Sequence, residues 1–215
     1  MRRFMLVVAA AVSIPAFAAT TTWDIDPAHS SAGFSVRHMM VSNVHGTFNK
    51  VTGTVMLDDK DLKNSSVEAT IDTTSINTGV EKRDAHLKSP DFFDAAKFPT
   101  LTFKSTKIAK AGANKYKVQG DLTMHGVTKP ATLDVTATAP VKNVMGKGWR
   151  RGVEATTKVK REDFGLTWNA PTEAGGVVVS KEVTVTIDAE LVSHADETKA
   201  TPGTEKAETP AAKGK

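Results

Sequence analysis

Residues 181–192 read KEVTVTIDAELV. Val183, Val185, Ile187, Ala189 and Leu191 fall on one parity, and Glu182, Thr184, Thr186, Asp188 and Glu190 on the other. Successive side chains of an extended chain point to opposite faces, so this stretch is a strand with one apolar face and one wet face.

The same period of two recurs along the chain. It predicts strands over residues 21–25, 32–40, 44–57, 66–73, 100–108, 116–122, 131–139 and 149–160 as well as 181–192. In 32–40, Phe34, Val36, His38 and Met40 share a face. In 44–57, Asn49-Lys50 reads as a bulge and Gly53 as a bend. The connections at 58–64, 111–114 and 140–148 are short and rich in turn formers. Eight or nine hairpin-linked strands with one-sided apolar faces argue an all-β antiparallel barrel or sandwich. Long strands and the absence of cysteine favour the barrel. A turn is expected near residues 161–165.

One stretch breaks the pattern. Residues 78–103, TGVEKRDAHLKSPDFFDAAKFPTLTF, set Glu81, Lys82, Arg83, Asp84, His86 and Lys88 directly against Leu87, Phe92, Phe93 and Phe98. Short helices are expected within the 80–97 loop, over 80–88 and over 89–96, the second with Ser89 as N-cap and Pro90 at its first position. A loop of this composition either plugs one barrel end or forms the polar rim of an apolar cavity.

The ends of the chain read differently from its middle. Arg2 and Arg3, the apolar run 4–14 and Ala16-Phe17-Ala18 have the layout of a cleavable export signal over residues 1–18. The run is too short to span a bilayer. Residues 195–215, ADETKATPGTEKAETPAAKGK, hold nothing larger than alanine to bury and read as a disordered low-complexity tail. The barrel domain is therefore expected over 20–194. Without Arg2 and Arg3 there are 26 basic against 24 acidic residues, so the net charge falls from +4 to +2. No Lys/Arg cluster interleaved with aromatics suggests nucleic acid. No cysteine means no thiolate catalysis, Cys-ligated metal or disulfide.

Several blocks resemble the YceI-like family. They are Asp26-Pro27-Ala28-His29-Ser30, Phe34-Ser35-Val36-Arg37-His38, Gly46-Thr47-Phe48 and Ile76-Asn77-Thr78-Gly79. Arg83-Asp84-Ala85-His86-Leu87, Ser89-Pro90-Asp91-Phe92-Phe93-Asp94 and Phe98-Pro99-Thr100-Leu101-Thr102-Phe103 continue the series. The blocks at 120–129 (GDLTMHGVTK) and 161–165 (REDFG) complete it. The match runs in order from about Trp23 to Val192. It implies an extended lipocalin-like barrel of about eight strands around an apolar pocket that binds polyisoprenoid chains, such as a quinone tail or a prenyl phosphate. It also implies export to the periplasm, in keeping with the leader. Residues 168–179 look individual to this chain and are placed where they could shape the cavity mouth.

Under that resemblance, Phe34, Val36, Met40, Phe48, Leu87, Phe92, Phe93, Phe103 and Leu122 are the expected apolar lining. His38, Arg83 and His86 are the expected polar mouth, an arginine there being suited to bidentate contact with phosphate or a quinone oxygen. Each has a plainer reading. His38 could be a core histidine hydrogen-bonded to backbone, and Arg83 with Asp84 could tie the helix to the barrel. Asp26, His29 and Ser30 read as a turn with local caps or as a polar contact at one barrel end. His125-Gly126 reads as a hairpin turn in which Gly126 supplies a positive φ. The six histidines show no ligand spacing, so no metal is expected. No nucleophile elbow or paired-carboxylate signature suggests catalysis.

A binding protein rather than an enzyme is therefore expected, needing no cofactor beyond its bound isoprenoid lipid. It would be a monomer or homodimer with no membrane span after cleavage, making at most transient contact with a membrane or membrane protein. At about 0.8 kcal/mol per buried CH₂, an isoprene unit contributes roughly 4 kcal/mol at most. Affinity then grows with tail length only until the cavity is full. The alternatives are an enzyme acting on an isoprenoid lipid, and a structural or stress module whose barrel is filled by side chains.

Overall fold

The computed structural model describes residues 20–171 and 176–193. The leader read in 1–18 and the tail read in 195–215 lie outside the described residues. The strands are β1 (Thr21–Ile25), β2 (Ser31–His38), β3 (Ser42–Phe48), β4 (Val51–Leu57), β5 (Ser66–Asp72) and β6 (Ile76–Asn77). After helix α1 (Glu81–Lys88) come β7 (Thr100–Gly112), β8 (Lys115–Met124), β9 (Val127–Ala137), β10 (Val141–Lys142), β11 (Trp149–Lys160) and β12 (Val179–Ser193).

Strands β11, β9, β8, β7, β5, β4, β1 and β12 are successive hydrogen-bonded neighbours, and β11 also pairs with β12. The eight close into an antiparallel barrel, as the sequence led us to expect. Closure rests on a twelve-residue register from Trp149↔Ser193 to Lys160↔Glu182. The alternation read in 181–192 faces inward: Val183, Val185, Ile187, Ala189 and Leu191 line the interior. The free edge of β12 is shared. Its C-terminal end pairs with β1, and its longer N-terminal part pairs with β2.

The stretch 44–57 is not one bulged strand. It divides at Asn49-Lys50 into β3, which pairs with β2, and β4, which pairs with β1. The break in this strand matches the break between β1 and β2, so the hairpin turns a corner as a unit. Lys50 N donates to Ser75 Oγ and Asn49 N to Ser75 O, which holds the corner against the chain leaving β5. A corner of this kind lets the wall wrap the core without opening an edge.

In the 80–97 loop, one helix forms where the sequence predicted it, and the second does not. Ser89 ends α1: its N and Oγ both donate to His86 O. The residues after it make a chain of turns, with Asp94 at φ 45° and Phe98 N donating to Asp94 O. This irregular path sends both Phe92 and Phe93 to the barrel interior, which two adjacent positions of one regular helix do not do. The turn expected near 161–165 is a 3₁₀ turn, Arg161–Phe164, stopped by Gly165 at φ 81°. The buried cluster runs through Trp23, Ile25, Phe48, Val51, Ile76, Leu101, Met124, Phe164, Leu166 and Leu191. Among the described residues no helix is long and apolar enough to cross a membrane.

Candidate functional site

The barrel is not filled by its own side chains. Its axis holds a cavity of about 280 Å³, far beyond the ~10–15 Å³ that one water needs. The filled-barrel alternative therefore loses its premise. Inward positions of nearly every barrel strand contribute to the wall: Val55 and Leu57 from β4, Val67, Ala69 and Ile71 from β5, Leu133 and Val135 from β9, Val153 and Ala155 from β11. Small residues such as Ala69, Ala131, Ala155 and Ala189 leave the space open.

Of the expected apolar lining, Phe34, Val36, Phe48, Leu87, Phe92, Phe93, Phe103 and Leu122 all face the cavity. Phe34, Phe48 and Phe93 form a chain of rings, with centroids 5.7 and 5.4 Å apart. Met40 does not line it. The strand ends at His38, Val41 N donates to His38 O, and Met39 and Met40 reverse the chain at φ 48° and 60°. The turn breaks the alternation, and Met40 is left 59% exposed.

The expected polar mouth is arranged differently. Arg83 Nε donates to Thr78 Oγ1 and Nη2 to Thr78 O, at 2.8 and 3.0 Å. Asp84 accepts from Thr78 N and Oγ1. The two residues clamp the chain entering α1, and neither lines the cavity. His86 lies 2.8 Å from Asp91 Oδ2 and packs edge-on against Phe92 and Trp168, both centroids at 5.0 Å. It backs a lining ring without reaching the interior. His38 pairs across to Ser42 and Val179 at the strand ends and is likewise outside the cavity wall. Trp168 packs on Phe92 at 5.1 Å with its ring tilted, which sets this residue of the 168–179 segment beside a lining ring; residues 172–175 lie outside the described residues.

Among the described residues two charged side chains, Arg151 and Arg161, line the cavity; the sequence placed Arg161 in the 161–165 block but marked neither as a site residue. Arg161 is 4% exposed. Its Nε donates to Ser180 O, Nη1 to Leu166 O and Trp168 O, and Nη2 to Val179 O. Burial pushes its guanidinium below the usual arginine value, and nearby Glu162 partly opposes this. Arg151, 8% exposed, stands toward the other end on β11, with Nε donating to Thr138 O at 2.7 Å. A signal existed for Arg151: it falls on the apolar parity of its strand, with Val153, Ala155 and Val159.

Asp26, His29 and Ser30 form the capped turn, and it also ties strands together. Asp26 accepts from Ala28 N and approaches His29 Nδ1 at 3.0 Å, while Ser30 Oγ accepts from Glu190 N. Arg150 Nη1 lies 2.8 Å from Asp26 and 2.6 Å from Glu190. Asp26, His29 and Glu190 are close enough to suggest a cation site, but the Arg150 guanidinium already supplies the positive charge between the carboxylates. The His29 contact, the Ala28 N–H and Arg150 lower the Asp26 pKa from 3.8 to about 2, against a weaker desolvation effect. The Asp26 contact and charge raise that of His29 above 6.5.

Comparison with known proteins agrees with this architecture. A family model described as the YceI-like domain matches residues 23–191. A UPF0312 protein of Vibrio parahaemolyticus is 39% identical over 161 residues, 75% of this chain and 85% of that protein. One from Staphylococcus aureus is 39% identical over 171 residues, 80% of this chain and 97% of the relative. The crystal structure of BcnA from Burkholderia cenocepacia superposes with a TM-score of 0.67 at 26% identity, covering 77% of this chain and 98% of that one. A domain from Saccharophagus degradans described as polyisoprenoid-binding shares the fold, with a TM-score of 0.58 at 18% identity over 80% of this chain and 99% of its own.

Proposed function

The chain belongs to the YceI-like family, and from that premise we propose that it is a binding protein that holds one long apolar isoprenoid lipid, a quinone tail or a prenyl phosphate, along its barrel axis. The observation that carries this reading is the cavity itself: a mainly aliphatic and aromatic bore with no carboxylate in its wall among the described residues. A prenyl chain suits such a space because it has no hydrogen-bonding groups to satisfy along its length. The S. degradans neighbour, described as polyisoprenoid-binding, supports the fold alone at 18% identity, so the argument rests on the bore.

Carriage or storage fits the geometry better than turnover. The charged side chains on the wall are guanidiniums, which offer donors and no acceptor and so are poor general bases. We place the protein in the periplasm on the export signal read in residues 1–18. The test is native mass spectrometry with lipid extraction of protein purified from its own envelope. A stoichiometric prenyl lipid released on denaturation is the expected result. An empty protein that takes up no prenyl lipid when offered it overturns the reading.

A further inference from the structure

We propose that the head group of the bound lipid is an oxyanion, a phosphate or a carboxylate, and that Arg151 and Trp23 hold it at the barrel end away from α1. The proposal rests on the lipid-cavity reading above and adds the head-group chemistry and its place.

Three observations converge. First, Arg151 is a cation on the cavity wall, 8% exposed, with no acidic partner among the described residues. Thr138 O takes Nε at 2.7 Å, which fixes the plane of the guanidinium. Neither Nη1 nor Nη2 meets an acceptor among the described residues. Unlike the Trp23 N–H, these nitrogens are not sealed from the surroundings, so they stand accessible to an anion that enters the bore. Second, Trp23 is 5% exposed and lines the same cavity, and its Nε1 is a buried donor with no partner among the described residues. Buried indole N–H groups are ordinarily satisfied. Third, the two belong to one end of the bore. Arg151 stands opposite Leu191 on β12, Leu191 stands opposite Ile25 on β1, and Trp23 is two residues before Ile25 on the same face. Strand spacing puts their backbones roughly 12 Å apart, a gap that two long side chains can bridge with one small polyatomic group between them.

The other charged lining residue provides the contrast. The Arg161 donors are spread over four backbone carbonyls, so it braces the chain at the helix end and offers little to a ligand. Arg83 is likewise occupied by Thr78. The terminal nitrogens of Arg151 are open, their fork matches two oxygens of a phosphate or carboxylate, and the Trp23 N–H suits a further oxygen.

The test uses delipidated protein and three probes of equal chain length: geranylgeranyl monophosphate, geranylgeraniol and the corresponding hydrocarbon, titrated calorimetrically. The wild type is expected to bind the phosphate at least tenfold tighter than the alcohol. Arg151→Met should bring that ratio to within about twofold by weakening the phosphate far more than the alcohol or the hydrocarbon. Trp23→Phe, which keeps the ring bulk and removes the N–H, should reduce it several-fold. If Arg151→Met does not fold by circular dichroism, Arg151→Lys and Trp23→Phe decide, and an unchanged ratio in both overturns the proposal. A wild-type ratio near one overturns it while leaving the lipid cavity standing. Loss of the preference in Arg83→Ala rather than Arg151→Met moves the head to the helix end and also overturns it. Failure of all three probes to bind the wild type sinks the cavity reading and this proposal together.

Discussion

Gly126 illustrates how one position can fix a hairpin. His125 and Gly126 lie at φ 52° and 75° between Met124 and Val127, a two-residue turn whose left-handed residues match the twist of β8 and β9. A Cβ on Gly126 would stand 2.7 Å from Phe98 Cε1. Gly126→Ala therefore meets both backbone strain and overlap, and should cost about 2–4 kcal/mol. In a domain of this size the melting temperature should fall by roughly 5–15 °C. A fall of under two degrees would show that the loop carrying Phe98 yields. The turn at Asp26 supplies a pH dependence. Its carboxylate titrates at about 2 in the folded protein against 3.8 ordinarily, so its contribution is present above pH 3.8 and lost as pH falls toward 2. His29 titrates above 6.5, so its contribution is present below pH 6.5 and lost as pH rises through the raised value. Both describe one contact and are not additive. Melting temperature should be greatest between about pH 4 and 6.5, and His29→Ala should flatten the decline above that window. An unaltered profile in the variant would assign the decline to another group.

At the scale of the element, α1 is held by polar contacts more than by burial, since none of its residues is fully buried. It has no side-chain cap at Val80. Instead Asp84 reaches back to Thr78 N and Oγ1, and Arg83 grips the same residue. Asp84→Ala leaves Thr78 N without its acceptor. Losing a charge-assisted contact should cost about 1.5–3 kcal/mol, localised to the helix. Hydrogen exchange in residues 80–98 should accelerate while β11 and β12 keep their protection. Uniform acceleration through the barrel would mean that the helix and barrel unfold as a unit. The predicted second helix fails for a related reason. Propensity favoured Ser89-Pro90 as a start, but Phe92 and Phe93 both reach the interior, and the chain gives up helical regularity to place them there.

For the whole molecule, the barrel resembles a lined tube whose narrowest property is volume. Ala155 on β11 is 4% exposed and faces the cavity between Val135 and Ile187. Ala155→Phe projects a ring into open space rather than into packed side chains, so the fold should survive with a melting temperature within a few degrees of the parent. A prenyl chain long enough to fill the bore should lose at least about tenfold in affinity, since displacing one isoprene unit removes up to ~4 kcal/mol of burial. A short chain should be little affected. Equal losses for short and long chains would place the lipid elsewhere.

The period of two in residues 181–192 and its repeats determined the strands, their inward faces and hence an antiparallel all-β fold, because alternation is a local consequence of extended backbone. The same parity placed Phe34, Phe103 and Leu122 on the cavity side. It could not say where a strand stops. Met40 kept the parity of Phe34 and Val36, yet a left-handed turn at Met39-Met40 turned it to solvent. Nor could it tell which polar residues near the aromatic loop face inward. Arg83 and His86 carried the right chemistry in sequence, and local contacts with Thr78 and Asp91 consumed it. Trp23 looked like an ordinary strand residue, and Arg151 stood out only by falling on the apolar parity of β11. Only closure of β11 on β12 and β12 on β1 brought them to one end of the bore, where the terminal nitrogens of Arg151 and the unpaired Trp23 N–H can meet one ligand. Pairing between strands far apart in sequence is a global property of the folded chain, and the polar end of this cavity exists only through it.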